Sequence, residues 1–153
     1  MKQELEKKLS DKYPKIFADN SKTQMESLMC FGCTCGDGWY DLIDALCHQL
    51  QQTTDEDPEE QPQVVAFQIK EKFGTLRFYS NATSDMQHGF IRLVESLSSH
   101  VCEVCGTTSM GSTKNVKLRD GPWIRTLCDA CEEKCKFAKV VTDIQKNKSD
   151  EDS

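Results

Sequence analysis

Two Cys-x-x-Cys pairs dictate the C-terminal part of this chain. Cys102-Glu-Val-Cys105 is followed by a 22-residue spacer that opens with Gly106, and then by Cys128-Asp-Ala-Cys131, with a further thiol at Cys135. A two-residue gap lets one tight turn supply two sulfurs to a single ion at about 2.3 Å, and two such turns complete a tetrahedral site. The expectation is a structural Zn2+ held by Cys102, Cys105, Cys128 and Cys131. Cys135, one helical turn beyond Cys131, is the alternative fourth ligand. The matched spacing of the two pairs favours Cys131.

With 153 residues, the chain has room for one ordinary domain or for a small core plus a metal module. The apolar fraction is only 37%, which leaves part of the length to polar connector or tail. No long apolar run is present, so no membrane span is expected. The N-terminal stretch is charged and lacks the apolar core of a signal peptide, pointing to the cytoplasm. In a reducing compartment, nine cysteines read as ligands or buried thiols rather than as disulfides.

Charge is unevenly spread: residues 1–62 carry −7, 63–100 carry +1, 101–148 carry +3 and the tail from 149 carries −3. The cysteine-rich segment is thus the basic part of an acidic protein. Lys117, Arg119, Arg125 and Lys134 are its candidates for phosphate contact.

Along the chain, residues 2–9 have helical composition that Pro14 stops. Gly36-Asp37-Gly38 marks a tight turn, with Asp37 placed to cap the next helix. Trp39, Leu42, Ile43, Leu46, Cys47 and Leu50 form the amphipathic stripe of that helix. Residues 51–62 contain no apolar side chain and read as an exposed acidic loop. Val65, Phe67 and Ile69 alternate toward one face of a strand, and Gly74 turns it into a second strand with Leu76 and Phe78 inward. Ser84 and Gln87 fit a capping box for a helix carrying Met86, Phe90, Ile91, Val94 and Leu97. The fold class expected is α+β: a small β-hairpin sheet with amphipathic helices over residues 1–100, a zinc-finger module over 101–142 packed on it, and a disordered acidic tail over 143–153.

Within the module, a knuckle at Cys102–Gly106, a hairpin over 116–127 turning at Asp120-Gly121, and a helix opening at Cys128 occur in the order of a treble-clef zinc finger, which this segment resembles. With all four ligand positions filled by protein, such a site leaves no place for water or substrate and is structural. A His-Asn-His nuclease on the same frame would need a histidine that residues 106–127 lack. A nucleobase deaminase would need His-x-Glu and Pro-Cys-x-x-Cys, and neither is present.

Cys30, Cys33 and Cys35, with Cys47 or His48 on the adjoining helix, form a second metal-site candidate. The competing reading is of reduced, partly buried thiols, since Cys47 lies on the apolar stripe.

The stretches Cys-Gly-Asp-Gly-Trp-Tyr-Asp-Leu-Ile-Asp (35–44), Lys-Glu-Lys-Phe-Gly-Thr-Leu-Arg-Phe-Tyr (70–79) and Cys-Glu-Val-Cys-Gly (102–106) with Trp-Ile-Arg-Thr-Leu-Cys (123–128) resemble small proteins common in bacteriophages and prophages. That resemblance implies a phage-related origin and action in the host cytoplasm, and it carries no activity. No catalytic constellation stands out. The functional expectation is a zinc-stabilised accessory protein that binds a host or phage protein. The alternative is nucleic-acid binding through the basic hairpin and helix of the finger. An enzyme using the Gly36–Asp37–Gly38 turn is a third reading.

Overall fold

The computed structural model describes residues 1–108, 115–119 and 123–136. Its central element is α2 (Tyr40–Glu56), entered through a short 3-10 turn at Asp37–Trp39. The expected stripe is where the core lies: Trp39, Ile43, Leu46, Cys47 and Leu50 are buried. α1 (Gln3–Lys12) buries Leu9 against this core, and Tyr13 at its C-terminal cap, then Ile16 and Phe17 beyond Pro14, continue it.

α2 continues six residues into the stretch expected to be an acidic loop. Residues 51–56 are helical, and only 57–62 turn away. Two side-chain pairs support this end of the helix: Gln51 Nε2 donates to Asp55 Oδ1 at 2.9 Å, and Gln52 Nε2 to Glu56 Oε1 at 2.8 Å. Thr53 and Thr54 are buried, and their hydroxyls are satisfied by Gln49 O and Leu50 O, and by Pro62 O. Amide and hydroxyl groups therefore cover the role that an apolar face would otherwise fill.

A three-stranded sheet flanks the helices in the order β1 (Cys33–Thr34), β2 (Ala66–Lys72), β3 (Thr75–Ser80). β1 runs parallel to β2, and β2 is antiparallel to β3. The expected inward set Val65, Phe67, Ile69 is not the one observed. Val64, Ala66 and Ile69 are buried, whereas Phe67 is exposed. The register shifts between Ala66 and Gln68, and this bulge moves the alternation by one residue. Leu76 and Phe78 face the core as expected. Phe73 and Gly74 both have positive φ, +53° and +78°, as a two-residue type I′ hairpin demands.

Both edges of this sheet are closed. On β3, Leu76 N–H donates to Ser98 Oγ and Phe78 N–H to Glu95 Oε1, each at 2.9 Å. On β1, Cys33 N–H donates to Glu6 Oε1 at 2.7 Å, and the Met1 amino group donates to Cys33 O at 2.8 Å. No ladder groups are left at these positions to recruit another strand.

α3 (Asp85–Ser98) opens with the expected capping box between Ser84 and Gln87. Gln87 is fully buried, and its Nε2 also donates to Thr54 Oγ1 and Pro62 O. The cap thereby ties α3 to the end of α2.

Beyond Val101 come the knuckle residues, β4 (Lys117–Arg119), antiparallel β5 (Arg125–Leu127) and α4 (residues 129–136), in that order. Cys102, Val116, Leu127, Cys128 and Cys131 form a second small core. The expected Asp120-Gly121 turn, the end of the expected module over 137–142 and the acidic tail over 143–153 lie outside the described residues.

Candidate metal centre and its anchorage

Cys102 and Cys105 lie on the knuckle, Cys128 immediately before α4 and Cys131 within its first turn. Their four sulfurs lie within 4.8 Å of one another, so the structure assembles the set expected from spacing, with Cys131 and not Cys135 completing it. The Cys105 and Cys128 sulfurs are 3.7 Å apart. A tetrahedral ion at about 2.3 Å from each sulfur would space them by ~3.8 Å. The donor set and its dimensions therefore fit a metal ion.

Burial opposes the Cys102 thiolate, but the backbone N–H groups of Cys105, Cys128 and Val104 are aimed at its sulfur and outweigh it. The thiol is brought down to about 7. Burial pushes the Cys105 thiol up, and burial with the adjacent thiols of Cys128 and Cys105 pushes Cys131 up. Four clustered sulfurs cannot all ionise beside one another without a cation, and a bound dication would relieve this repulsion.

The anchorage of this centre was not legible in the sequence. Glu103, between the first two ligands, is buried; Oε1 accepts Gly36 N–H and Oε2 accepts Arg125 Nε–H. Its own amide donates to Thr126 O, and its carbonyl accepts Gly38 N–H at 2.8 Å. The Trp39 indole donates to Val101 O at 2.9 Å. A Cβ on Gly38 would fall within 3.0 Å of Cys102 O, Gly106 N and Glu103 O, so only glycine lets the two backbones meet. Gly36 and Gly38, expected simply to make a turn, are the socket for the knuckle. From the other side, Gly74 O accepts the Thr126 hydroxyl at 2.6 Å, and Glu71 Oε2 accepts the Trp123 indole at 2.9 Å. The β2–β3 tip thus grips the β4–β5 pair.

The second metal-site candidate is not brought together. Among the described residues, Cys30, Cys33, Cys35 and Cys47 do not form a group with ligand atoms within 4.8 Å. Cys30 is exposed, while Cys33, Cys35 and Cys47 are in the core. Burial pushes all three core thiols up, Cys35 to about 12, which makes them neutral small hydrophobes.

Nor does the basic finger surface present its expected cations freely. Arg119 pairs with Asp129 at 2.5 Å and Glu132 at 2.9 Å, and Arg125 with Glu103 at 3.0 Å. Lys117 and Lys134 are exposed. Asp37 does not cap α2: it accepts Lys2 N–H at 2.7 Å. Asp44 binds Lys12 Nζ at 2.8 Å and the Tyr13 hydroxyl at 3.0 Å. These carboxylates tie the N-terminal segment to α2.

No protein-family model matches the chain, and no curated protein or solved structure matches it. No helix among the described residues is long and apolar enough to cross a membrane.

Proposed function

We propose that this is a non-catalytic binding protein whose C-terminal module is a treble-clef finger closed on one structural Zn2+. On the resemblance of the chain to phage and prophage proteins, its place is the bacterial cytoplasm and its partner a host or phage protein. The observation that carries the reading is the cluster itself: four cysteine sulfurs lie within 4.8 Å of one another, enough to fill a tetrahedral set. An all-thiolate tetrahedral set suits zinc. Bound zinc would supply folding free energy to the module, and Cys102, Cys105, Cys128 and Cys131 would hold it. The Glu103 and Gly38 contacts would pass that rigidity to the core.

The finger-based nucleic-acid reading is weaker on these residues, because Arg119 and Arg125 already neutralise carboxylates. The turn-based enzyme reading loses its free acid, since Asp37 accepts from Lys2.

Two measurements test the proposal. Elemental analysis of the purified protein should find one zinc per chain, lost in Cys131→Ser; a metal-free folded protein would refute the structural site. A pull-down of the zinc-loaded protein from bacterial lysate should recover a discrete protein that survives nuclease. Recovery abolished by nuclease would count against a protein partner.

A further inference from the structure

We propose that the outer face of the β2–β3 hairpin binds single-stranded nucleic acid. The cross-strand partners Gln68 and Tyr79, Lys70 and Arg77, and Lys72 and Thr75 share that face, opposite the buried Ile69 and Phe78. Lys72 is exposed and the other five are half-buried, so each keeps part of its side chain in solvent.

The chemistry of the face combines aromatic rings with cations. Phe67, displaced outward by the bulge, stacks on Tyr79 with centroids 6.1 Å apart and planes inclined by 26°. Lys70 Nζ lies 5.5 Å from the Tyr79 ring centre, and Lys72 Nζ lies 5.8 Å from the exposed Phe73 ring. Beside β3, a groove is lined by Thr75, Arg77, Arg92, Ser96, Ser99 and Glu95, whose carboxylate is held by Phe78 N–H. Lys70, Lys72, Arg77 and Arg92 are all the lysines and arginines of residues 63–100, and each belongs to this face or its groove. Among the described residues, none of the four enters an ion pair, in contrast to Arg119 and Arg125.

In a chain of net charge −6, unneutralised cations around stacked rings complement a polyanion that also carries flat bases. Single strands expose those bases to aromatic platforms, while the cations track the phosphates. A duplex hides its bases and gains nothing from Tyr79 or Phe67. An acidic peptide would use the cations and leave the rings idle. Neither strand addition nor edge pairing competes for the hairpin, because Glu95 and Ser98 close the β3 edge.

Fluorescence anisotropy with labelled oligo-dT and an oligo-U of equal length tests this on the zinc-loaded full chain. Single strands should bind more tightly than a duplex. Four phosphate contacts at a slope of about −0.7 each imply a ~50-fold loss of affinity between about 50 and 200 mM salt. Lys70→Gln with Lys72→Gln should flatten that salt dependence. Tyr79→Leu should weaken binding about tenfold or more, and Tyr79→Trp should retain it, both folded by circular dichroism. Lys117→Gln with Lys134→Gln on the finger should bind as wild type. Absence of binding at low salt, indifference to Tyr79→Leu, or equal competition by polyglutamate would overturn the proposal, the last in favour of an acidic peptide.

Discussion

The Glu103 carboxylate accepts the Gly36 amide at 3.1 Å, joining a residue between two of the four clustered cysteines to the turn that begins the central helix. Its other oxygen takes Arg125 Nε at 3.0 Å, so one buried acid connects turn, knuckle and β5. Glu103→Ala would leave the half-buried guanidinium of Arg125 and the Gly36 amide without their partner. The expected cost is about 2–3 kcal/mol, read as a lower urea midpoint with unchanged slope. Glu103→Gln, which keeps an acceptor for Gly36, should recover part of it.

Two glycines should respond to alanine in opposite directions. Gly38→Ala drives a methyl group into the backbone of Cys102 and Gly106, and neither can retreat without opening the knuckle. A loss of about 3 kcal/mol is expected, with weaker zinc retention in a chelator competition. Gly89 lies in α3 with open space around its missing Cβ. Gly89→Ala should therefore stabilise by up to about 1 kcal/mol in the same urea titration.

The contrast between those glycines marks what sequence can and cannot carry. Ligand spacing, the Leu42–Leu50 stripe and the Ser84–Gln87 cap are local patterns, and all were legible. The end of α2 was not, because no apolar stripe marks it: Gln51 and Gln52 pair with Asp55 and Glu56 along the helix, and Thr54 is held by Pro62 and by Gln87 from α3. Phe67 was assigned to the wrong face because a bulge is decided by the pairing of two strands. Glu103 looked like a spacer between ligands. Its partners are 67 and 22 residues away, and no local signal connects them.

Gln87 illustrates the dual use of a cap. Its backbone amide donates to Ser84 Oγ, its Oε1 accepts Ser84 N–H, and its Nε2 serves Thr54 and Pro62. Gln87→Leu should fill similar volume yet leave Ser84 N–H without its acceptor and remove the donor shared by Thr54 Oγ1 and Pro62 O. A loss of about 1–3 kcal/mol is expected in thermal or urea unfolding, more than the loss of a solvent-exposed cap would give.

Asp37 gives the fold a dependence on acid. The Lys2 amide outweighs burial and, with help from the Lys2 ammonium, holds its carboxyl below the ordinary aspartate range. A folded-state pKa below the unfolded one means the contact contributes fully above about pH 4, near the ordinary aspartate value. The contribution disappears as pH falls through the lower folded value. Asp37→Asn should therefore be less stable than wild type at neutral pH, with the gap closing in stronger acid. Comparing urea midpoints of the two proteins at each pH cancels metal loss common to both. A gap that persists undiminished below the aspartate range would show that the carboxylate charge is not responsible.

Metal removal should be felt at Trp39, well outside the ligand set. Its indole is buried and bonded to Val101 O, next to Cys102, while the exposed Trp123 is already in contact with solvent. Chelation removes a binding free energy of about 10–16 kcal/mol in comparable zinc modules. The knuckle should then release Gly38 and Val101 together, wetting Trp39. A red shift of tryptophan emission on chelation, reversed by added zinc, is the expected result, with the far-ultraviolet signal of α2 and α3 largely retained. Glu103→Ala should lower the chelator concentration needed, because it weakens the same junction from the protein side. An emission maximum that does not move after complete zinc removal would mean the Gly38–Glu103 contact holds the knuckle without its metal.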